Sequence, residues 1–310
     1  MKPRIKVGSR KSDLAFAQTQ WVINQIKKNY PDIEFEIIGI QTQGDTILDR
    51  TLDKTGGKGL FVKELENALL ERTIDFAVHS VKDIPVQIPD DLTIAAVSKR
   101  EDPRDVLITL DGKDLDRLPA GAVVGTSSPR REAQLLQKRS DLHIKMLRGN
   151  VFTRIGKLAK SEYDAIILAA AGLKRLGYEN PSIRYFDVET MIPAVGQGIL
   201  GLEARKDDEV NELLRSIHCE KSSTCLAAER AFMIKLNGGC STPIAAHAVI
   251  DTGRLKVYGL LASDDKQTVF KEVVEGVIGE DVRERSDEAT RLGEKLAEMI
   301  LAKMEPEVER

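Results

Sequence analysis

The chain reads as an α/β protein of two or three domains, closed by a small α+β domain with an antiparallel sheet. Three observations predict this. At 310 residues the chain exceeds one typical domain. Its earlier part alternates short apolar strands with helical repeats, which predicts mainly parallel sheets with helices on both faces. Its last part places three strands in succession before a long charged helix, the order of an antiparallel sheet with a helix packed on it.

Ile5 to Gly8 is the first strand. Ser12 caps the next helix, with Asp13 in its first turn, and Leu14, Ala17, Trp21, Val22 and Ile26 recur at helical spacing. Phe35 to Ile40 is a strand, and the Gly-rich stretch Thr55 to Gly59 leads into a helix over Leu60 to Leu70. Asp75 to His79 and Thr93 to Val97 are further strands. A new unit begins near Lys99. There Val123 to Gly125 is a strand, Ser128 and Pro129 open a helix, and His143 to Leu147 is a strand. A helix follows to about Lys160, then a buried-type strand over Ala165 to Leu168 and a helix over Ala169 to Leu176. Ser223 to Leu236 is one helix. The three late strands are Ile244 to Ile250, Leu255 to Leu261 and Val269 to Val274, and the closing helix runs from about Asp281 to Lys303.

A net charge of −3 gives no global case for nucleic acid or an anionic membrane, so any anion binding must come from local clusters. Three cysteines without CxxC or Cys/His metal spacing argue against a disulfide framework and a zinc site. No stretch reaches the roughly 18 apolar residues of a membrane span. Met1 to Val7 enters a strand directly, without the apolar core of a signal peptide. The expectation is a soluble cytoplasmic protein without a metal.

Basic residues gather where the strands end: Arg10, Lys82, Arg130, Arg131, Arg148, then Arg154 and Arg175. Ligands of open α/β sheets bind outside the carboxyl ends of strands, and helix starts attract anions. Any one of these arginines alone reads as a solvated surface residue. Seven cations in one topological position favour a polyanionic small molecule. The spacing of Thr55 to Gly59 is wrong for a P-loop, so that stretch reads as a mobile loop over the site. Asp83, beside Lys82 at a strand end, is the candidate acid/base; a helix cap or a surface ion pair is the competing reading. His79 lies in a buried-type strand with no His or Cys partner at metal spacing, which makes it structural. Cys240 sits on the turn Asn237-Gly238-Gly239-Cys240-Ser241-Thr242-Pro243, where a thiol is presented for a covalent group; the plain alternative is a small buried hydrophobe.

Seven segments, in order along nearly the whole chain, carry a family resemblance. They are Gly8-Ser9-Arg10-Lys11-Ser12, His79-Ser80-Val81-Lys82-Asp83, Gly125-Thr126-Ser127-Ser128-Pro129-Arg130-Arg131, Leu147-Arg148-Gly149-Asn150, Ala170-Ala171-Gly172-Leu173-Lys174-Arg175, Pro193-Ala194-Val195-Gly196-Gln197-Gly198 and Gly238-Gly239-Cys240. The ordered set resembles the porphobilinogen deaminase (hydroxymethylbilane synthase) family. Ser241-Thr242 departs from the bulkier pair of many bacterial members, while the Gly-Gly-Cys and Pro243 remain.

The resemblance implies two periplasmic-binding-protein-like domains with a cleft between them, and a third small domain. The expected division is 1–98 with 194–217, 99–193, and 218–310. It implies a dipyrromethane cofactor joined through a thioether to Cys240, which primes a chain of four porphobilinogen units. Each condensation loses ammonia, and hydrolysis releases hydroxymethylbilane, which passes to uroporphyrinogen-III synthase. Asp83 would stabilise the cation left as the aminomethyl nitrogen departs. The implied binding set is Arg10, Ser12, Gln18, Lys58, Ser80, Lys82, Thr126, Ser127, Ser128, Arg130, Arg131, Arg148, Gly149, Arg154 and Arg175. Cys219 and Cys225 are expected to be structural, and the protein to be a monomer without nucleic-acid or membrane partners. The rival reading is a non-enzymatic polyanion-binding protein, since the same two-domain fold serves both classes.

Overall fold

The computed structural model describes residues 4–46, 59, 61–238 and 242–304. In chain order the elements begin β1 (Arg4–Arg10), α1 (Asp13–Ile26), β2 (Glu34–Ile40), α2 (Gln43–Thr46), α3 (Lys63–Leu70), β3 (Phe76–Ser80) and β4 (Leu92–Val97). There follow β5 (Asp105–Ile108), β6 (Val123–Gly125), α4 (Pro129–Lys138), β7 (His143–Lys145), α5 (Val151–Ala159), β8 (Ala165–Ala169), α6 (Ala170–Arg175) and β9 (Ile183–Tyr185). The last part holds β10 (Leu200–Arg205), α7 (Val210–Arg215), α8 (Glu220–Lys235), β11 (Ile244–Asp251), β12 (Arg254–Ala262), β13 (Val269–Val277) and α9 (Val282–Met304).

The first compact unit comprises Met1–Glu101, Gly172–Tyr178 and Gly198–Ser222. Its sheet has the order β2-β1-β3-β10-β4. Strands β1, β2 and β3 run parallel, and β10 is antiparallel to both β3 and β4. Helix α1 starts at Ser12, whose side chain accepts from the Ala15 amide. Its buried face is Ala15, Gln18, Thr19, Val22, Ile23 and Ile26, turned from the face the sequence suggests because Gln18 has a polar partner on β3. Val22, Ile23 and Ile26 pack with Ile5, Val7, Phe76 and Leu202 in the main core. On the other face, Leu65, Ala68 and Leu69 of α3 cover Ala77 and Leu92.

The second unit comprises Asp102–Ala171, Glu179–Gln197 and Ser223–Arg310. Its five-stranded sheet has the order β7-β6-β8-β5-β9, with β5 antiparallel to its neighbours. The same unit holds the antiparallel sheet β11-β12-β13. One face of this small sheet packs through Tyr258, Leu260 and Ala262 on Ala133 of α4 and Ile192. The other face is covered by α8 and α9, which meet where Gly293 lies against the Ala228 backbone; a Cβ at Gly293 would collide with that carbonyl.

The α/β class with a small antiparallel C-terminal part therefore holds. Each large sheet is mainly parallel in strand direction, with one inverted strand, β10 or β5. These two strands, with β9 and α7, are elements the sequence reading passes over.

Candidate active site

Strand register builds the first cluster. Val7 pairs with Phe76 and Gly8 with Ala77, which brings Arg10 level with His79 at the carboxyl edge of the first sheet. The chain leaving β3 makes one tight helical turn over Val81–Asp83. The side chains of Arg10 and Asp83 thereby approach: Nη1 of Arg10 lies 3.9 Å from Oδ2 of Asp83, a Coulombic distance too long for a hydrogen bond. The guanidinium also stacks over the ring of Phe61, 4.4 Å from its centroid. Gln18 reaches from α1 to the Ser80 hydroxyl, with Nε2 donating at 3.0 Å. Arg10, Ser12, Gln18, Phe61, Ser80 and Asp83 all line one cavity of about 50 Å³. Lys82, between Ser80 and Asp83, is half-buried. Phe61 is a residue the sequence reading does not single out; its only local signal is an aromatic at the exit of the Gly-rich stretch.

Arg175 belongs by contact with this first unit. Its Nη2 donates to the Gly198 carbonyl at 2.7 Å. Burial pushes its guanidinium down to about 10, still protonated at neutral pH.

The second cluster lies at the carboxyl ends of β6 and β7, which pair in parallel register. Ser127 staples the two loops that leave them. Its hydroxyl donates to the Leu147 carbonyl at 2.7 Å and accepts from the Leu147 amide. Oγ1 of Thr126 accepts from the Ser128 amide. Ser128 occupies the cap position of α4, with Pro129 in the first turn, yet its side chain makes no capping bond. Asn150 caps α5 through the Thr153 amide, and Gly149 takes φ of 115°, a conformation that favours glycine. Nε of Arg154 donates to the Gly149 carbonyl, and Arg148 is half-buried beside it in sequence.

Arg130 and Arg131 depart from the sequence reading. Both point inward and are 4% and 7% exposed. Arg130 Nη1 donates to Asp105 Oδ2 at 2.7 Å and to the Ile192 carbonyl, while Arg131 binds Asp105 Oδ1 and the Ile167 carbonyl. Gln197 adds a donor to the same carboxylate at 2.9 Å. Burial alone would raise the Asp105 carboxyl, but the two guanidiniums outweigh it and hold the group well below the usual carboxylate range. Their anion is thus internal.

Lys58 and Cys240 lie outside the described residues, as does most of the stretch read as a loop over the site. Cys225 is buried on α8, and the Cys219 amide donates to the Val97 carbonyl. His79 is buried against Glu203.

A carboxylate, a guanidinium and an aromatic ring at the carboxyl edge of a mainly parallel sheet are the equipment of an α/β protein that binds small charged organic molecules. Comparison with known proteins sharpens this. Residues 5–212 match the family model of the porphobilinogen deaminase dipyromethane cofactor binding domain, and residues 223–302 match that of the porphobilinogen deaminase C-terminal domain. A porphobilinogen deaminase of Shouchella clausii is 49% identical over 310 residues, covering 99% of each chain. One from Bacillus pumilus is 51% identical over 275 residues, covering 88% of each. Among solved structures, the methionine binding protein MetQ aligns with a TM-score of 0.43 at 16% identity, covering 69% of this chain and 88% of that one. The periplasmic VFT2 domain of Bordetella pertussis BvgS aligns at 0.41 and 16%, covering 73% and 93%. The chain belongs to the porphobilinogen deaminase family. That membership does not favour the non-enzymatic reading.

Proposed function

We propose that this chain joins four porphobilinogen molecules head to tail on a dipyrromethane primer held by Cys240, then releases hydroxymethylbilane by hydrolysis. Each condensation loses one ammonia. Family membership makes the chain a transferase of tetrapyrrole biosynthesis, and the matched cofactor-binding domain brings the dipyrromethane with it. The observation that supports the residue roles is the strand-end cavity, where Asp83 shares a wall with Arg10 and the Gln18–Ser80 pair.

These residues suit such a group. Pyrrole rings with acetate and propionate arms offer carboxylates and N–H donors, and the cavity supplies a guanidinium and a half-buried carboxylate. When bound, the dipyrromethane supplies the pyrrole carbon to which substrate is joined. Asp83 accepts hydrogen bonds from pyrrole N–H groups, balances positive charge as the substrate's aminomethyl nitrogen departs, and takes up a proton. Arg10 pairs a substrate carboxylate, held at its angle by Phe61; Lys82, Lys58 and Arg175 add positive charge. Ser12, Gln18 and Ser80 order the polar wall. In the second unit Arg148, Arg154, Gly149 and the Ser128 end of α4 take further carboxylates. Thr126 and Ser127 hold the loops that present them, and Arg130 and Arg131 set the start of α4 from within. Three domains, a monomer, a cytoplasmic location and transfer of product to uroporphyrinogen-III synthase belong to the same proposal.

Intact mass spectrometry tests it. After incubation with porphobilinogen, the native chain should exceed its bare mass by two linked pyrrole units, and Cys240→Ser should not. A native chain that stays at its bare mass overturns the reading; an unchanged adduct on Cys240→Ser moves the attachment to another residue.

A further inference from the structure

Three ionisable side chains lie buried on the α3 face of the first sheet, and none of the roles above uses them. Glu66, His79 and Glu203 are 9%, 4% and 1% exposed. The strand register explains two of them. Ala77 pairs with Glu203 and Gly201 with His79, so His79 and Glu203 are diagonal neighbours on one face of the β3–β10 pair. Nε2 of His79 stands 2.9 Å from Oε2 of Glu203, off the axis of an aligned hydrogen bond. At that distance one proton lies between the two atoms, because two lone pairs do not approach so closely. Glu66 comes from α3, which packs on the same face through Leu65, Ala68 and Leu69.

One imidazole can match at most one carboxylate. Two charged carboxylates buried on this face with it would leave an uncompensated charge in the interior, so one of them must be neutral. Geometry gives the imidazole to Glu203. Burial first, then the charge of Glu203, pushes the Glu66 carboxyl up, against smaller opposing effects of His79 and Lys63. Lys63 is exposed on the outer turn of α3. Arg205, farther along β10, is bound to Asp208 and to the carbonyls of Leu69 and Ile74, with Asp75 at 3.9 Å.

Position gives the cluster its consequence. His79 lines the same cavity as Asp83 and directly precedes Ser80 and the turn that carries Asp83. Phe61 and Val62, just before α3, form another wall of that cavity. Locking α3 to β3 and β10 therefore fixes two walls against each other. We propose that Glu66, His79 and Glu203 form a buried latch, with Glu66 as the neutral acid and Glu203 as the carboxylate facing His79, that positions the Ser80–Asp83 turn against Phe61 and Val62. The catalytic half of this inference rests on the function proposed above; the protonation half does not.

Glu66→Gln and Glu203→Gln test both halves. Glutamine mimics a neutral acid, so Glu66→Gln should keep kcat and KM for porphobilinogen within about twofold of the parent. Glu203→Gln strips His79 of its carboxylate and should lower kcat by about tenfold or more while KM and the covalent cofactor mass persist. Equal losses in both variants, or a loss confined to KM in Glu203→Gln, overturn the latch. If Glu203→Gln does not fold, melting curves of Glu66→Gln decide. A carboxyl raised in the folded state stabilises below its unfolded pKa of about 4.3 and loses that contribution as pH climbs through the folded value. Glutamine has no proton to lose, so Glu66→Gln should gain in melting temperature over the parent as pH climbs above about 4.3; parallel curves overturn the neutral acid. A parent chain that fails to convert porphobilinogen would sink the proposed function and leave the melting comparison intact.

Discussion

Asp105→Asn should be among the most damaging isosteric changes available to the second unit. The parent carboxylate is fully buried and takes hydrogen bonds from Arg130, Arg131 and Gln197. Asparagine keeps the shape but not the charge, and turns one acceptor oxygen into a donor facing guanidinium N–H groups. Two cations then stay in the interior without an anion. Removing one partner from a buried pair costs about 3–5 kcal/mol, and here one residue serves two arginines, so the loss should be at least about 4 kcal/mol. Urea unfolding measures it. At a slope near 2.5 kcal/mol/M the midpoint by backbone circular dichroism should fall by about 1.5 M. The chain has one tryptophan, and Trp21 packs on the core of the first unit, so its fluorescence reports that unit separately. The pH dependence has a definite sign. The folded carboxyl lies below its unfolded value of about 3.9, so its contribution is complete above that pH and is lost only as pH falls toward the folded value. The deficit of Asp105→Asn should thus be the same at about pH 8 and about pH 5, and shrink below about pH 4. A loss under about 1 kcal/mol, or a deficit that changes across neutral pH, would refute the assignment of Asp105 as the charged hub.

Asp83→Asn should keep its covalent cofactor by mass yet lose turnover by about 100-fold or more, since geometry survives and proton transfer does not; substantial ammonia release from porphobilinogen would count against Asp83. Gly198→Ala should destabilise the first unit by about 2 kcal/mol, because φ is 89° and the added Cβ would strike the Glu101 carbonyl; thermal melting of the variant checks it. Glu229→Ala should cost about 3 kcal/mol or more in urea unfolding, because this buried carboxylate accepts from the amides of Gly196 and Ala248 at 2.7 and 2.8 Å, and both would lose their partner.

Local order along the chain was enough to determine much of this protein. Alternating strands and helices, the Ser12 cap and the three late strands are set by periodicity and turn chemistry within a few residues, and each is found close to where the sequence puts it. The placement of Arg10 and Asp83 at strand ends was likewise legible, because a strand's carboxyl end is a local property. Strands β5 and β10 were not. The first begins with Asp105, and the second contains Glu203 and Arg205, charged residues that do not read as core. Their burial rests on partners mostly far along the chain: Arg130 and Arg131 for Asp105, His79 for Glu203, and the carbonyls of Leu69 and Ile74, beside the nearby Asp208, for Arg205. The same physics divides the arginines. Arg130 and Arg148 look alike as strings after strands, and whether a guanidinium turns inward depends on whether an anion already waits inside. Sequence named the charges; the direction each one faces was decided by folding, because a buried charge is stable only where the tertiary structure brings its opposite within reach.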